Sequence, residues 1–109
     1  MTDQELLERA ARAAGYEIQL YTGEGPFHGC FMRRVVPEPP APFSKWVPWK
    51  PLDDDSDAFR LMVEAGINVE IGLADVNTCA GYFPYYGVTD AYETVRRAIV
   101  ETVVAHAGG

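Results

Sequence analysis

The sequence predicts an α+β domain in which three amphipathic helices pack with a mainly antiparallel sheet of about four strands, in the order α-β-β-α-β-β-α. Three observations carry this. Apolar residues recur at helical spacing behind recognisable caps at the start, middle and end of the chain. Between those stretches lie pairs of short segments, three of them alternating or aromatic-rich, that read as strands. At 109 residues there is room for one domain and one modest core, so the elements must share it.

The first helix is predicted from Asp3 to Ala14. Thr2 and Glu5 form a capping box, each side chain answering an amide that the first turn leaves open. Leu6, Leu7, Ala10, Ala13 and Ala14 make its apolar stripe, and Gly15 ends it in the left-handed conformation. Tyr16 to Tyr21 alternates apolar with polar and reads as the first strand. The turn cluster Gly23-Glu24-Gly25-Pro26 leads to a second strand from Phe27 to Val36, hairpin-paired with the first.

Positions 37–51 hold Pro37, Pro39, Pro40, Pro42, Pro48 and Pro51, and proline lacks the amide that ladders and helices use, so this segment reads as a loop. It also carries Phe43, Trp46 and Trp49, which either fold back on the core or form a contact surface. Asp53 to Asp55 cap a second helix from about Asp55 to Ala65, with Ala58, Phe59, Leu61, Met62 and Ala65 as apolar positions and Gly66 as its stop. Ile67 to Leu73 alternates as a third strand with Ile67, Val69, Ile71 and Leu73 inward. Cys79 to Tyr86 is the fourth. Asp90 and Glu93 cap a last helix to about His106, with Tyr92, Val95, Ile99 and Val103 as its buried stripe.

Net charge is −7. That argues against binding nucleic acid through overall charge, which takes clustered Lys and Arg. It suits a basic protein partner. The charge is uneven. Asp53, Asp54, Asp55, Asp57, Glu64, Glu70 and Asp75 face only Arg60 between positions 51 and 75, whereas Arg33, Arg34, Lys45 and Lys50 outweigh Glu38 between 27 and 50. Cys30 and Cys79 form no CxxC pair and read as buried free thiols of a reducing compartment. With no apolar run of membrane-spanning length and no leader-like N-terminus, a cytoplasmic location is expected.

The acidic cluster Asp53, Asp54, Asp55 and Asp57 has three readings: helix capping, a contact surface for a basic partner, and a metal site. Carboxylates at a helix N-terminus each gain roughly 0.3–1 kcal/mol there. The spacing lacks the glycine and distal glutamate of a calcium loop, so no metal is expected. Trp46 and Trp49 are candidate partner anchors, since tryptophan is enriched at binding hot spots; for Trp49 the favoured reading is that it covers the core and braces the entry to the second helix, and Trp46, in the middle of the proline loop, is the better candidate for exposure. His28 and Cys30 share a predicted strand face but lack further zinc ligands at suitable spacing. Gly23-Glu24-Gly25 lacks the lysine of a phosphate loop. Tyr82, Tyr85 and Tyr86 offer rings for stacking a small ligand or nucleotide, or for packing on a sheet face. No catalytic constellation and no cofactor motif is present.

The strings Asp3-Gln4-Glu5-Leu6-Leu7, Ala14-Gly15-Tyr16-Glu17-Ile18 and Trp49-Lys50-Pro51-Leu52-Asp53-Asp54-Asp55-Ser56-Asp57-Ala58-Phe59-Arg60-Leu61, with Arg96-Arg97-Ala98-Ile99-Val100 near the end, resemble the phage ABA-sandwich domain of small phage and prophage proteins. The likeness covers most of the chain outside the proline loop and departs at Ser56, where glycine is expected. It implies a sheet between helical layers and brings no activity or catalytic residue with it. The expectation that follows is a non-enzymatic phage or prophage protein, in the cytoplasm of a bacterial host. It would bind and inhibit a basic host protein, a CRISPR effector subunit being the sharpest case. Asp53, Asp54, Asp55, Asp57, Glu64, Trp46 and Trp49 would form the contact, with homo-oligomers allowed. The alternative is a small-ligand or nucleotide-binding protein using Tyr82, Tyr85 and Tyr86.

Overall fold

The structure is a computed structural model and describes residues 2–35, 45–71, 75–84 and 91–106. Among these the order is α1 (Asp3–Ala14), β1 (Ile18–Leu20), β2 (Phe31–Val35), β3 (Lys45–Pro48), α2 (Asp55–Ala65), β4 (Val69–Ile71), β5 (Asp75–Thr78), β6 (Gly81–Pro84) and α3 (Ala91–His106). The class is α+β, as the sequence predicts. The described strands form two antiparallel sheets of three, β1-β2-β3 and β4-β5-β6, where one sheet of about four strands was expected.

Helix ends follow their caps. The Thr2 hydroxyl accepts from the Glu5 amide at 3.2 Å, and Gly15 closes α1 at φ +78°. At α2 the cap is Asp54, whose carboxylate accepts from the Ser56 amide at 2.8 Å and the Asp57 amide at 3.1 Å. Gly66 ends that helix at φ +70°, a backbone angle that would strain any side chain. Asp54→Ala is expected to lower stability by about 1 kcal/mol in urea unfolding, while Asp53→Ala leaves it within about 0.5 kcal/mol, because only Asp54 answers open helix amides.

Strands depart more from expectation. The expected loop over 37–51 contains β3, which pairs Trp46 with Arg34 and Pro48 with Met32 at the outer edge of the first sheet. An edge position tolerates the proline, whose missing amide faces away from the ladder. The second strand begins at Phe31, so His28 and Cys30 lie in the connection before it. There the His28 Nδ1 donates to the Gly23 carbonyl at 2.9 Å. The fourth predicted strand, Cys79 to Tyr86, corresponds to β6 and is preceded by an unpredicted strand, β5, which meets it at a tight turn with Thr78 opposite Gly81. Cys79 is exposed in that turn and Cys30 half-buried, so neither thiol has the full burial expected.

Leu6, Ala10, Ala11, Phe31, Trp49, Ala58, Leu61, Ile67, Ile99, Val100, Val103 and Val104 form one core. α3 is its shared element and packs on α1, α2, β5 and β6. Small residues at Ala10, Ala11 and Ala98, all buried, let the helices approach closely. Ala13 is exposed and Ala11 takes its place in the stripe. Thr102, fully buried on α3, shares a 2.6 Å hydrogen bond with Thr78 on β5 and so has a partner for its hydroxyl.

Candidate functional site

Three apolar residues that the periodicity turns inward are instead exposed, and they gather in one place. Phe59 on α2 is 62% exposed, Ile71 on β4 67% and Tyr92 on α3 67%. They line a groove of about 630 Å³ between α2, β4 and the first half of α3. Ala58, Met62, Val69, Val95 and Ile99 complete its apolar wall, so the groove opens directly onto the core. Val63, four residues after Phe59 and 58% exposed, extends the apolar side of α2 beyond the groove. A contiguous apolar patch of this kind marks an interaction or ligand site, whereas singly scattered exposed hydrophobics do not.

Among the described residues two charged side chains line the groove, Asp55 and Arg96, and each is engaged by the other. Arg96 donates from Nη1 to Asp55 Oδ1 at 2.7 Å and from Nε to the Leu52 carbonyl at 2.9 Å. The guanidinium thereby ties α3 to the entry of α2. Its charge is committed internally, so no free cation for a phosphate or carboxylate lines the groove among the described residues.

The acidic cluster separates into residues with different work. Asp54 caps α2, Asp55 pairs with Arg96, and Asp57 accepts from the Lys50 amide at 2.9 Å. Asp53 is the member whose carboxylate has no partner among the described residues. Glu64, on α2, lies 3.6 Å from the Arg33 guanidinium and accepts from the Tyr16 hydroxyl. Arg33 in turn stacks 3.7 Å from the centre of the Tyr16 ring. Burial pushes its pKa below the usual arginine value, with Arg60 adding to the effect and Asp57 opposing it. Reversing Asp54, Asp55 and Asp57 together would therefore remove a cap, an ion pair and a turn bond, as well as surface charge.

Of the tryptophans, Trp46 is exposed at 38% and Trp49 is buried at 2%. Trp49 is thus corrected from a candidate partner anchor to a core residue: the turn into α2 folds it inward, where it meets Tyr16 edge to face at 5.8 Å. Trp46 lies on the far sheet and borders a separate shallow cleft with Leu20, Tyr21 and Met32. Tyr82 sits on β6 opposite Asn77, and Tyr85 and Tyr86 lie outside the described residues, as do Phe43, Leu73 and Asp90. Among the described residues no group of three or more His, Cys, Asp or Glu is placed to share a metal ion, and no helix is long and apolar enough to cross a membrane.

The sequence contained one signal for the groove. The apolar positions of α2, Ala58, Phe59, Leu61, Met62, Val63 and Ala65, spread over more of the helix circumference than one packing face needs. No protein-family model, no curated protein and no solved structure matches the chain, so the likeness to phage ABA-sandwich proteins rests on the sequence strings alone.

Proposed function

We propose that this protein acts by binding another protein, without catalysis, and that the groove between α2, β4 and α3 is the contact. The observation that carries the proposal is the convergence of Phe59, Ile71 and Tyr92, all largely exposed, around one apolar hollow. Aromatic side chains in such a setting are favoured interface anchors. The segment 53–71 supplies two of the three walls; with Asp55 paired to Arg96 and Glu64 to Arg33, it still carries Asp53, Asp54, Asp57 and Glu70 against Arg60, so the preferred partner has a positive surface. Inhibition of a basic host factor by a phage protein, a CRISPR effector subunit included, is one biological form this binding would take. In that form the anchor is the groove, and the acids contribute steering and selectivity.

The nucleotide-binding alternative draws less support. Arg96, the cation lining the groove among the described residues, is already held by Asp55 and the Leu52 carbonyl, and an anionic ligand would approach a chain of net charge −7.

The test compares the immobilised wild-type protein with a Phe59→Glu, Ile71→Glu double variant in a bacterial lysate. Proteins kept by the wild type and lost from the variant, identified by mass spectrometry, are the expected result. Identical retention by both would show that the groove is not the contact.

A further inference from the structure

We infer that the groove's occupant is a basic amphipathic helix of the partner, an inference that rests on the protein-binding reading above. The first reason is backbone chemistry. Among the described residues the lining is mainly apolar: its two charged side chains, Asp55 and Arg96, already engage each other, and the Tyr92 hydroxyl is its other polar side-chain group. An extended peptide would find backbone partners there only along the three residues of β4, whose outer edge no described strand covers, and each further amide or carbonyl left unpaired costs roughly 1–3 kcal/mol. A helix satisfies its own backbone and offers only side chains.

The second reason is span. The groove runs along α2 from Asp55 to Met62 and along α3 from Ala91 to Ile99. At 1.5 Å per residue these stretches are about 10–12 Å long, which matches apolar anchors at i, i+3 or i+4, and i+7 of one helix. The third is charge. Asp53, whose carboxylate has no partner among the described residues, is exposed two positions before Asp55 of the groove wall, and the chain as a whole is at −7. A second copy of this chain would bring the same charge and be repelled; a helix flanked by Lys and Arg would be drawn in.

The test is a display selection. Random peptides of about 16 residues, long enough for four helical turns, are selected on the wild-type protein and counter-selected on the Phe59→Glu, Ile71→Glu variant. Both substituted side chains are largely exposed, and circular dichroism checks that the variant keeps its fold. Enriched sequences are expected to carry apolar residues at i, i+3 or i+4, and i+7 with a net positive charge. A synthetic copy of the most enriched one should bind the wild type about thirtyfold more tightly than the variant. It should gain helical signal on binding, weaken with added salt, and stop binding when proline replaces its central residue. Enrichment of acidic peptides, or of peptides with apolar residues at every second position, overturns the helix inference; where the variant fails to bind them, the groove stays a protein-binding site. If no enriched peptide distinguishes wild type from variant, both readings fall. Dimerisation of the wild type in sedimentation, abolished in the variant, assigns the groove to a second copy and overturns the inference.

Discussion

Replacing Trp49 with alanine is expected to lower the unfolding free energy by about 3–5 kcal/mol, a large share of the roughly 5–15 kcal/mol that holds a domain together. The side chain is 2% exposed and lies against Tyr16, whose own ring carries the Arg33 guanidinium on its face. Its backbone amide donates to the Phe31 carbonyl at 2.9 Å, so the residue joins the first sheet to the turn that enters α2. Removing the indole leaves a cavity where these parts meet and strips cover from Tyr16 and Arg33. In a domain of this length each kcal/mol moves the melting temperature by about 4–8 °C, and thermal unfolding followed by circular dichroism gives a direct reading. Trp49→Phe, which keeps an apolar ring in the space, should lose clearly less. A Trp46→Ala variant, altered at an exposed edge strand, should unfold within about 1 kcal/mol of the wild type.

The Phe59→Glu, Ile71→Glu double variant is expected to show the opposite profile. Neither side chain is buried, so unfolding should shift by no more than about 1 kcal/mol. Partner binding should fall about a hundredfold or more, since two central apolar anchors become charges facing an apolar contact and hot-spot losses of 2 kcal/mol or more each are typical. Asp53→Lys should slow association and weaken its salt dependence, with a smaller change in affinity, because an exposed charge outside the contact acts mainly on encounter. The Trp49 and groove variants thus separate folding from binding: one aromatic residue is needed for the structure, the other for what the structure contacts.

Much of the helical framework was legible in the sequence, because helix ends are written locally. Thr2, Glu5 and Gly15 bound α1, and Asp54 and Gly66 bound α2, at the positions the caps dictate. Strands were less legible, since pairing is decided by partners distant in the chain. β3 is hidden among prolines and is recognisable only through its register with β2. β5, Asp75-Val76-Asn77-Thr78, has one apolar residue and no alternation to announce it. The groove was barely readable for a related reason. The periodicity places Phe59, Ile71 and Tyr92 on apolar faces, and only the packing of α2, β4 and α3 decides whether anything covers them. Charge counting likewise marked the Asp53–Asp57 cluster but could not foresee Arg96, 41 residues beyond Asp55, as its internal counter-ion.

The central claim is that the groove between α2, β4 and α3 is where this protein meets its partner. Hydrogen–deuterium exchange of the full chain, with and without the partner recovered by the wild type, tests it directly. Added protection is predicted in 55–62, 69–71 and 91–99, with the first sheet at 18–20 and 45–48 unchanged. Protection confined to the β1 and β3 face around Trp46, with the three groove segments unaltered, would contradict it.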